Sequence, residues 1–267
     1  MVTFISNRHF YSSQSWKAIA SGLIKDLLRS LKSRLRQDFL DKYTKKKKGT
    51  RHLVIDNKHI IEATEAKQQK IRNLISNWHK YTQKDANFYE VLDVQQRIAG
   101  TGSLGLERYV VLVEGFGSPD GNYLLDLKST KTCSLQPYLT LPQPDWSSES
   151  ARVVAIQQRV QGTPPALLGV IVDGNKSYVL RELQPEEDRV SLQAWDGKLE
   201  RLNKLMQTMG EVTAWDQLRS GGRQGSAIAD DLIKFAHLSD WRNQILEYAI
   251  SYSKQVKLDY QEFCQKS

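Results

Sequence analysis

The sequence predicts an α+β protein, in which a small antiparallel sheet packs with a mostly helical remainder. Two hairpin signals lie mid-chain, one around Gly100, Gly102 and Gly105 and one at Asp173-Gly174. Both ends of the chain instead repeat apolar residues at helical spacing. Strands gathered between helical runs give α+β rather than alternating βα units. The reading divides the chain into an N-terminal helical segment (1–86), a sheet segment with one helix (87–190) and a C-terminal helical segment (191–267).

The N-terminal segment opens with a helix from Trp16 to about Tyr43. Leu23, Leu27, Leu31 and Leu35 recur every four residues, while Lys25, Arg29, Lys32 and Arg36 take the other side. Lys45 to Lys48 and Arg51 then form the main basic cluster. A nucleic-acid or anionic-surface patch would use such charges, but no aromatic platform accompanies them. A solvated loop is the favoured reading. An irregular stretch over Leu53–Ile61 leads to a second helix, with Ile71, Leu74, Ile75 and Trp78 on its apolar face. Phe88–Val94 reads as a strand or an extended lead-in to the glycines.

The central unit is RIAGTGSLGLERYVVLVEGFGSPDGNYLLDLK, from Arg97 to Lys128. Its G-x-G-x-x-G spacing serves two phosphate-binding devices. The dinucleotide fingerprint needs a helix after the glycines. Here Leu106 to Glu114 is rich in aromatic and β-branched residues, the composition of a strand. A nicotinamide-dependent oxidoreductase is therefore disfavoured. Glycines leading into a strand suit a hairpin flap that closes over phosphates. Tyr123–Leu127 returns as a second strand and delivers Lys128, as in kinases, where a glycine flap and a strand-borne lysine grip the nucleotide. An ordinary hairpin with an exposed lysine fits the same residues.

After a proline-containing connection (Ser129–Ser148), Ser147 or Ser148 can cap a helix running to about Val160. Leu167–Val172 and Tyr178–Leu183 flank the Asp173-Gly174 turn. Helices follow around Leu202–Met209, ending at or a few residues beyond Gly210, then over Ala227–Ala236 and Trp241 to about Tyr260. The glycine-rich basic loop Arg219–Gly225 lies between the first two.

Composition bounds the function classes. The chain has 267 residues, 40% apolar and 25% charged, with a net charge of +8. That is ordinary for a globular protein. Cys133 and Cys264 make neither a disulfide framework nor a metal knuckle. No apolar run nears the ~20 residues of a membrane span, and the N-terminus lacks a signal-peptide pattern. The expected setting is cytoplasmic, with neither a membrane nor a nucleic acid as partner.

IAGTGSLGLERYVVLVEG, NYLLDLK, ARVVAIQQR, SYVLRELQP and AWDQLRSGGRQGSAIAD resemble the bacterial domain-of-unknown-function family 2252 (DUF 2252). The likeness runs from about Trp16 to the C-terminus. It implies a kinase-like phosphotransferase fold. Relatives carry a Gly-Asp-x-His-x-x-Asn motif and an Asp-Phe-Asp motif ahead of the glycine flap, an order implying a circularly permuted kinase fold. This sequence has neither motif. The resemblance therefore implies the family's C-terminal part only: an incomplete, truncated or split protein, bound to a nucleotide and inactive alone. ATP would be the cofactor, with Mg2+ only if a separate chain supplied the catalytic segment. No residue is assigned to catalysis or to a metal.

On the kinase reading, Gly100, Thr101, Gly102, Ser103 and Gly105 line the flap. Lys128 bridges phosphate oxygens, and Glu149 is the candidate carboxylate that holds it. Glu149 also suits a first helical turn for dipole reasons alone. The backbone from Glu182 to Gln184 would be the hinge meeting a purine, or Arg181 and Glu182 are plain edge-strand charges. Arg219 and Arg223 would offer an anion site where a helix opens, or the loop simply joins two helices. The rival to a nucleotide-binding enzyme part is a non-catalytic binding or regulatory module.

Overall fold

The computed structural model describes residues 22–79, 86–100, 102 and 104–266. The first turns of the helix expected from Trp16 lie outside them, as do Thr101 and Ser103. The chain divides into two compact units, Met1–Asp216 and Gln217–Ser267.

The long N-terminal helix is broken. Helix α1 (Gly22–Ser30) buries Leu23, Ile24 and Leu27. A 3-10 turn follows, and Arg34 and Leu35 are extended before α2 (Arg36–Tyr43). Leu35 is exposed, so the four-residue leucine repeat does not run as one stripe. The tertiary contact that fixes the break is Arg34, which reaches Asp188 Oδ1 at 2.5 Å and donates to Glu187 O at 2.9 Å. Local periodicity yields to such a contact, because propensity is a weak prior.

The lysine run is no loop. It forms β1 (Thr44–Lys47), paired antiparallel with β2 (Thr50–Leu53) across a Lys48-Gly49 turn. Both turn residues have positive φ (49° and 82°), the geometry that matches strand twist in a two-residue hairpin. Arg51, read in sequence with the basic cluster, is completely buried. Its guanidinium meets Asp41 at 2.5 Å, Asp120 at 2.8 Å and Thr44 Oγ1 at 2.9 Å, and its Nε donates to Pro119 O at 2.6 Å.

The main sheet has six antiparallel strands. In chain order these are β3 (Ile60–Ile61), β4 (Val91–Arg97), β5 (Arg108–Val113), β6 (Tyr123–Ser129), β7 (Gly169–Asp173) and β8 (Lys176–Glu182). Their spatial order is β3-β4-β5-β6-β8-β7. Alternate residues face opposite ways, and each face has its own core. On one face Val94, Val111, Leu125, Leu127 and Leu180 pack with Ile71 and Ile75 of α3 (Glu65–His79). On the other, Val110, Leu112 and Leu124 pack with Leu40 of α2 and Leu53 of β2. Each such burial contributes about 1.5–3 kcal/mol.

Helix α4 (Glu149–Val160) begins where the sequence predicts. Ser148 Oγ accepts from the Ala151 N–H at 3.1 Å, a standard N-cap. The helix packs on β7 and β8. Helix α5 (Leu199–Ser220) runs ten residues past Gly210 and buries Leu205 against Leu23 and Ile24. In the second unit, α6 (Ala229–His237) and α7 (Asp240–Lys266) are both regular.

Candidate functional site

The glycine segment is a hairpin connection between β4 and β5, as its composition suggests. Gly100 and Gly105 have φ of 78° and 79°, a region that costs L-residues strain. Gly102 has no such φ, and a Cβ there would meet nothing within 4 Å. Nothing in the described chain requires glycine at that position. The next strand, β6, brings Lys128 directly opposite Arg108, the first residue after the loop.

Around this point the second sheet face turns from apolar to charged. Arg97 on β4, Arg108 on β5, Asp126 and Lys128 on β6, and Arg181 on β8 share that face, two residues apart along each strand or across it. Arg108 donates from Nε to Asp126 Oδ1 at 2.7 Å and from Nη2 to Oδ2 at 2.6 Å. Its Nη1 donates to Ala99 O at 2.9 Å, which ties the root of the glycine turn to the sheet. Arg97 reaches Asp126 Oδ1 at 3.1 Å, and Arg181 reaches Oδ2 at 3.4 Å.

Burial opposes ionisation of Asp126. The hydrogen bonds and charge of Arg108, with Arg97 and Arg181, override it and hold the carboxyl below its ordinary range. Lys128 moves the other way. Burial and the neighbouring Arg108 and Arg181 charges lower its pKa, with Asp126 only partly opposing them. Among the described residues Lys128 has no ion pair of its own.

The other expected site residues fall differently. Glu149 pairs with Arg152 on its own helix, at 2.8–2.9 Å. In this structure the partner of Glu149 is therefore Arg152 and not Lys128. The Glu182 carboxylate meets Arg36 at 3.3 Å. The N–H groups of Glu182 and Leu183 donate to Ala166 O and Leu124 O, so of the three hinge N–H groups only that of Gln184 has no backbone partner among the described residues. Arg219 lies in the last turn of α5, and the Arg223 N–H donates to Ser226 Oγ. The helix after them is preceded by an Ile228 N–H already bonded to Asp231, with Asp230 and Asp231 in its first turn. Carboxylates there satisfy the helix dipole and leave an incoming anion little to gain.

Sequence reasoning missed Asp126, Arg97 and Arg108, and set Arg181 aside as an edge charge. The period of two along Asp126-Leu127-Lys128 was the available signal. Among the described residues no three His, Cys, Asp or Glu side chains gather to hold a metal, so these residues do not by themselves fit Mg2+. A surface depression of about 420 Å³, lined by Arg72, Asn73, Ser76 and Glu90, lies at the opposite end of β4 from Arg97.

A family model described as "Uncharacterized protein conserved in bacteria (DUF2252)" matches residues 5–266. The chain belongs to the DUF2252 family. The match spans nearly the whole chain and gives no support to a likeness confined to the family's C-terminal part. No curated protein and no solved structure matches it. Among the described residues of this DUF2252 chain, no helix is long and apolar enough to cross a membrane.

Proposed function

We propose that this DUF2252 protein binds a nucleotide through its phosphates, as the gripping part of a kinase-like phosphotransferase. The observation that carries the reading is Lys128, opposite Arg108 at the root of the glycine hairpin, with no carboxylate of its own. The order of parts supports it: glycine hairpin, lysine on the following strand, then a helix and a second hairpin. Kinases assemble their phosphate grip in that order. Gly102, free of any internal need for glycine, is where backbone can come closest to an anion.

The chain contains neither aspartate motif of its relatives. Phosphoryl transfer depends on metal-held charge stabilisation and a positioned base, so the chain alone transfers phosphate at a negligible rate. The pairing of Glu149 with Arg152 favours a second reading, in which the fold serves as a non-catalytic nucleotide-binding module.

Titration calorimetry of Mg-ATP into the purified chain, with Lys128→Ala as control, tests the proposal. Saturable binding that the substitution weakens about tenfold or more supports it. No binding by a folded chain overturns it.

A further inference from the structure

The Lys128 neighbourhood holds more positive charge than its carboxylate can answer. Four cations, Arg97, Arg108, Lys128 and Arg181, face the single carboxylate of Asp126. Ionised carboxylate oxygens offer about four lone-pair sites in total. Asp126 spends them on two bonds from Arg108, one from Arg97 and one from Arg181. It has no capacity left for Lys128.

The inner part of the cluster is shielded from water. The side chains of Arg97 and Arg108 are 8% and 11% exposed, while that of Arg181 is 29% exposed. A surplus of cations held away from water is costly unless an anion joins them. Lys128 and Arg181 are the accessible members, and the N–H groups that Arg97 and Arg181 do not spend on Asp126 have no other partner among the described residues.

We infer that this sheet face is a polyphosphate site, in which Lys128 and Arg181 bind successive phosphate groups, Arg97 adds buried positive charge behind them and Asp126 positions the arginines. This rests on the nucleotide reading and deepens it. The surplus of three positive charges matches a chain of phosphates better than a single phosphate, which carries at most about two negative charges near neutrality. Arginine forks suit phosphate oxygens in pairs, and lysine supplies a point charge beside them. A free polyphosphate and the tail of a nucleoside triphosphate share this chemistry.

The test titrates sodium tripolyphosphate, Mg-ATP and adenosine into the full chain and into Arg181→Ala and Lys128→Ala. Folding of each variant is checked by circular dichroism. Tripolyphosphate should bind the wild type, and Arg181→Ala should weaken it about tenfold or more. The thermal midpoint of the wild type should also rise with tripolyphosphate concentration, a readout that needs no variant.

If ATP binds no tighter than tripolyphosphate and adenosine does not bind, the polyphosphate site stands and the nucleotide reading falls. If ATP binds and Lys128→Ala weakens it, while tripolyphosphate neither binds nor shifts the midpoint and Arg181→Ala changes nothing, the site proposed here is overturned and nucleotide binding stands. Binding of none of the three overturns both.

Discussion

Arg108 grips Asp126 with two hydrogen bonds and the glycine turn with a third, through Ala99 O at 2.9 Å. One guanidinium thus couples the charged sheet face to the loop above it. Replacing Arg108 by Gln leaves a buried carboxylate short of its main partner, at a cost of about 3–5 kcal/mol for such pairs. Arg97 and Arg181 remain and should hold the loss toward the lower figure. Arg108→Lys should not rescue it, since an ammonium cannot make the paired bonds to Asp126 and reach Ala99 as well. Urea unfolding of both variants checks this.

The same carboxylate makes stability acid-sensitive. The folded pKa of Asp126 lies below its ordinary 3.8. Its contribution is therefore fully present above that ordinary value and is lost as pH falls through the folded value. Asp126→Asn should be less stable than wild type at neutral pH, with the gap closing as the solution is acidified below about pH 4. Chemical denaturation at a series of pH values reads the gap directly. A gap that stays constant would mean that Asp126 acts through shape rather than charge.

Lys128 titrates in the opposite sense. Its folded pKa is below 10.5, so the free protein loses this cation earlier than an exposed lysine does. Arg108, Arg181 and Asp126 are the charged groups that face it. Phosphate groups only gain negative charge as pH rises, so the ligand's own titration cannot cause a loss of affinity. Affinity for tripolyphosphate should fall as pH rises toward 10.5. Lys128→Arg should flatten the decline, because a guanidinium keeps its charge.

What the sequence disclosed follows physical range. The glycine hairpin, the Asp173-Gly174 turn and the Ser148 cap are set by neighbouring residues, and each was legible. The N-terminal helix was not, because its break depends on Arg34 meeting Asp188, 154 residues away. Arg51 illustrates the same limit. Beside four lysines it reads as surface charge, yet strand alternation turns it inward onto Asp41 and Asp120. The cation cluster was half visible: Lys128 was read, but its neighbours come from three other strands that only the register brings together.

Arg51 should accordingly be a stability residue. Asp41 and Asp120 are both about half exposed, so water can recover their charges if Arg51 is lost. Thr44 Oγ1 and Pro119 O lie deeper and lose a donor. Arg51→Gln should cost about 2–4 kcal/mol, less than a fully buried pair, by leaving buried acceptors unmet. Neutralising Lys45 or Lys47, whose side chains lie on the exposed side of the hairpin, should change stability by no more than about 0.5 kcal/mol. Thermal melts of the three variants separate an inward arginine from a uniformly solvated run.

Glu149 offers the sharpest division between an enzyme part and a binding module. Its pair with Arg152 is about one-third exposed on each side, a class of contact worth about 0–1 kcal/mol. Glu149→Gln should therefore barely change stability. In this geometry it should also leave Mg-ATP affinity within about twofold of wild type, because the side chain does not engage Lys128. A kinase-like active state instead requires the lysine–glutamate pair, so α4 would have to release Arg152 when nucleotide arrives. Parallel titrations of Glu149→Gln and Lys128→Ala decide between these. If both weaken binding alike, the helix rearranges around the nucleotide and the module reading fails. If only Lys128→Ala does, the grip works without its carboxylate and the non-catalytic role gains ground.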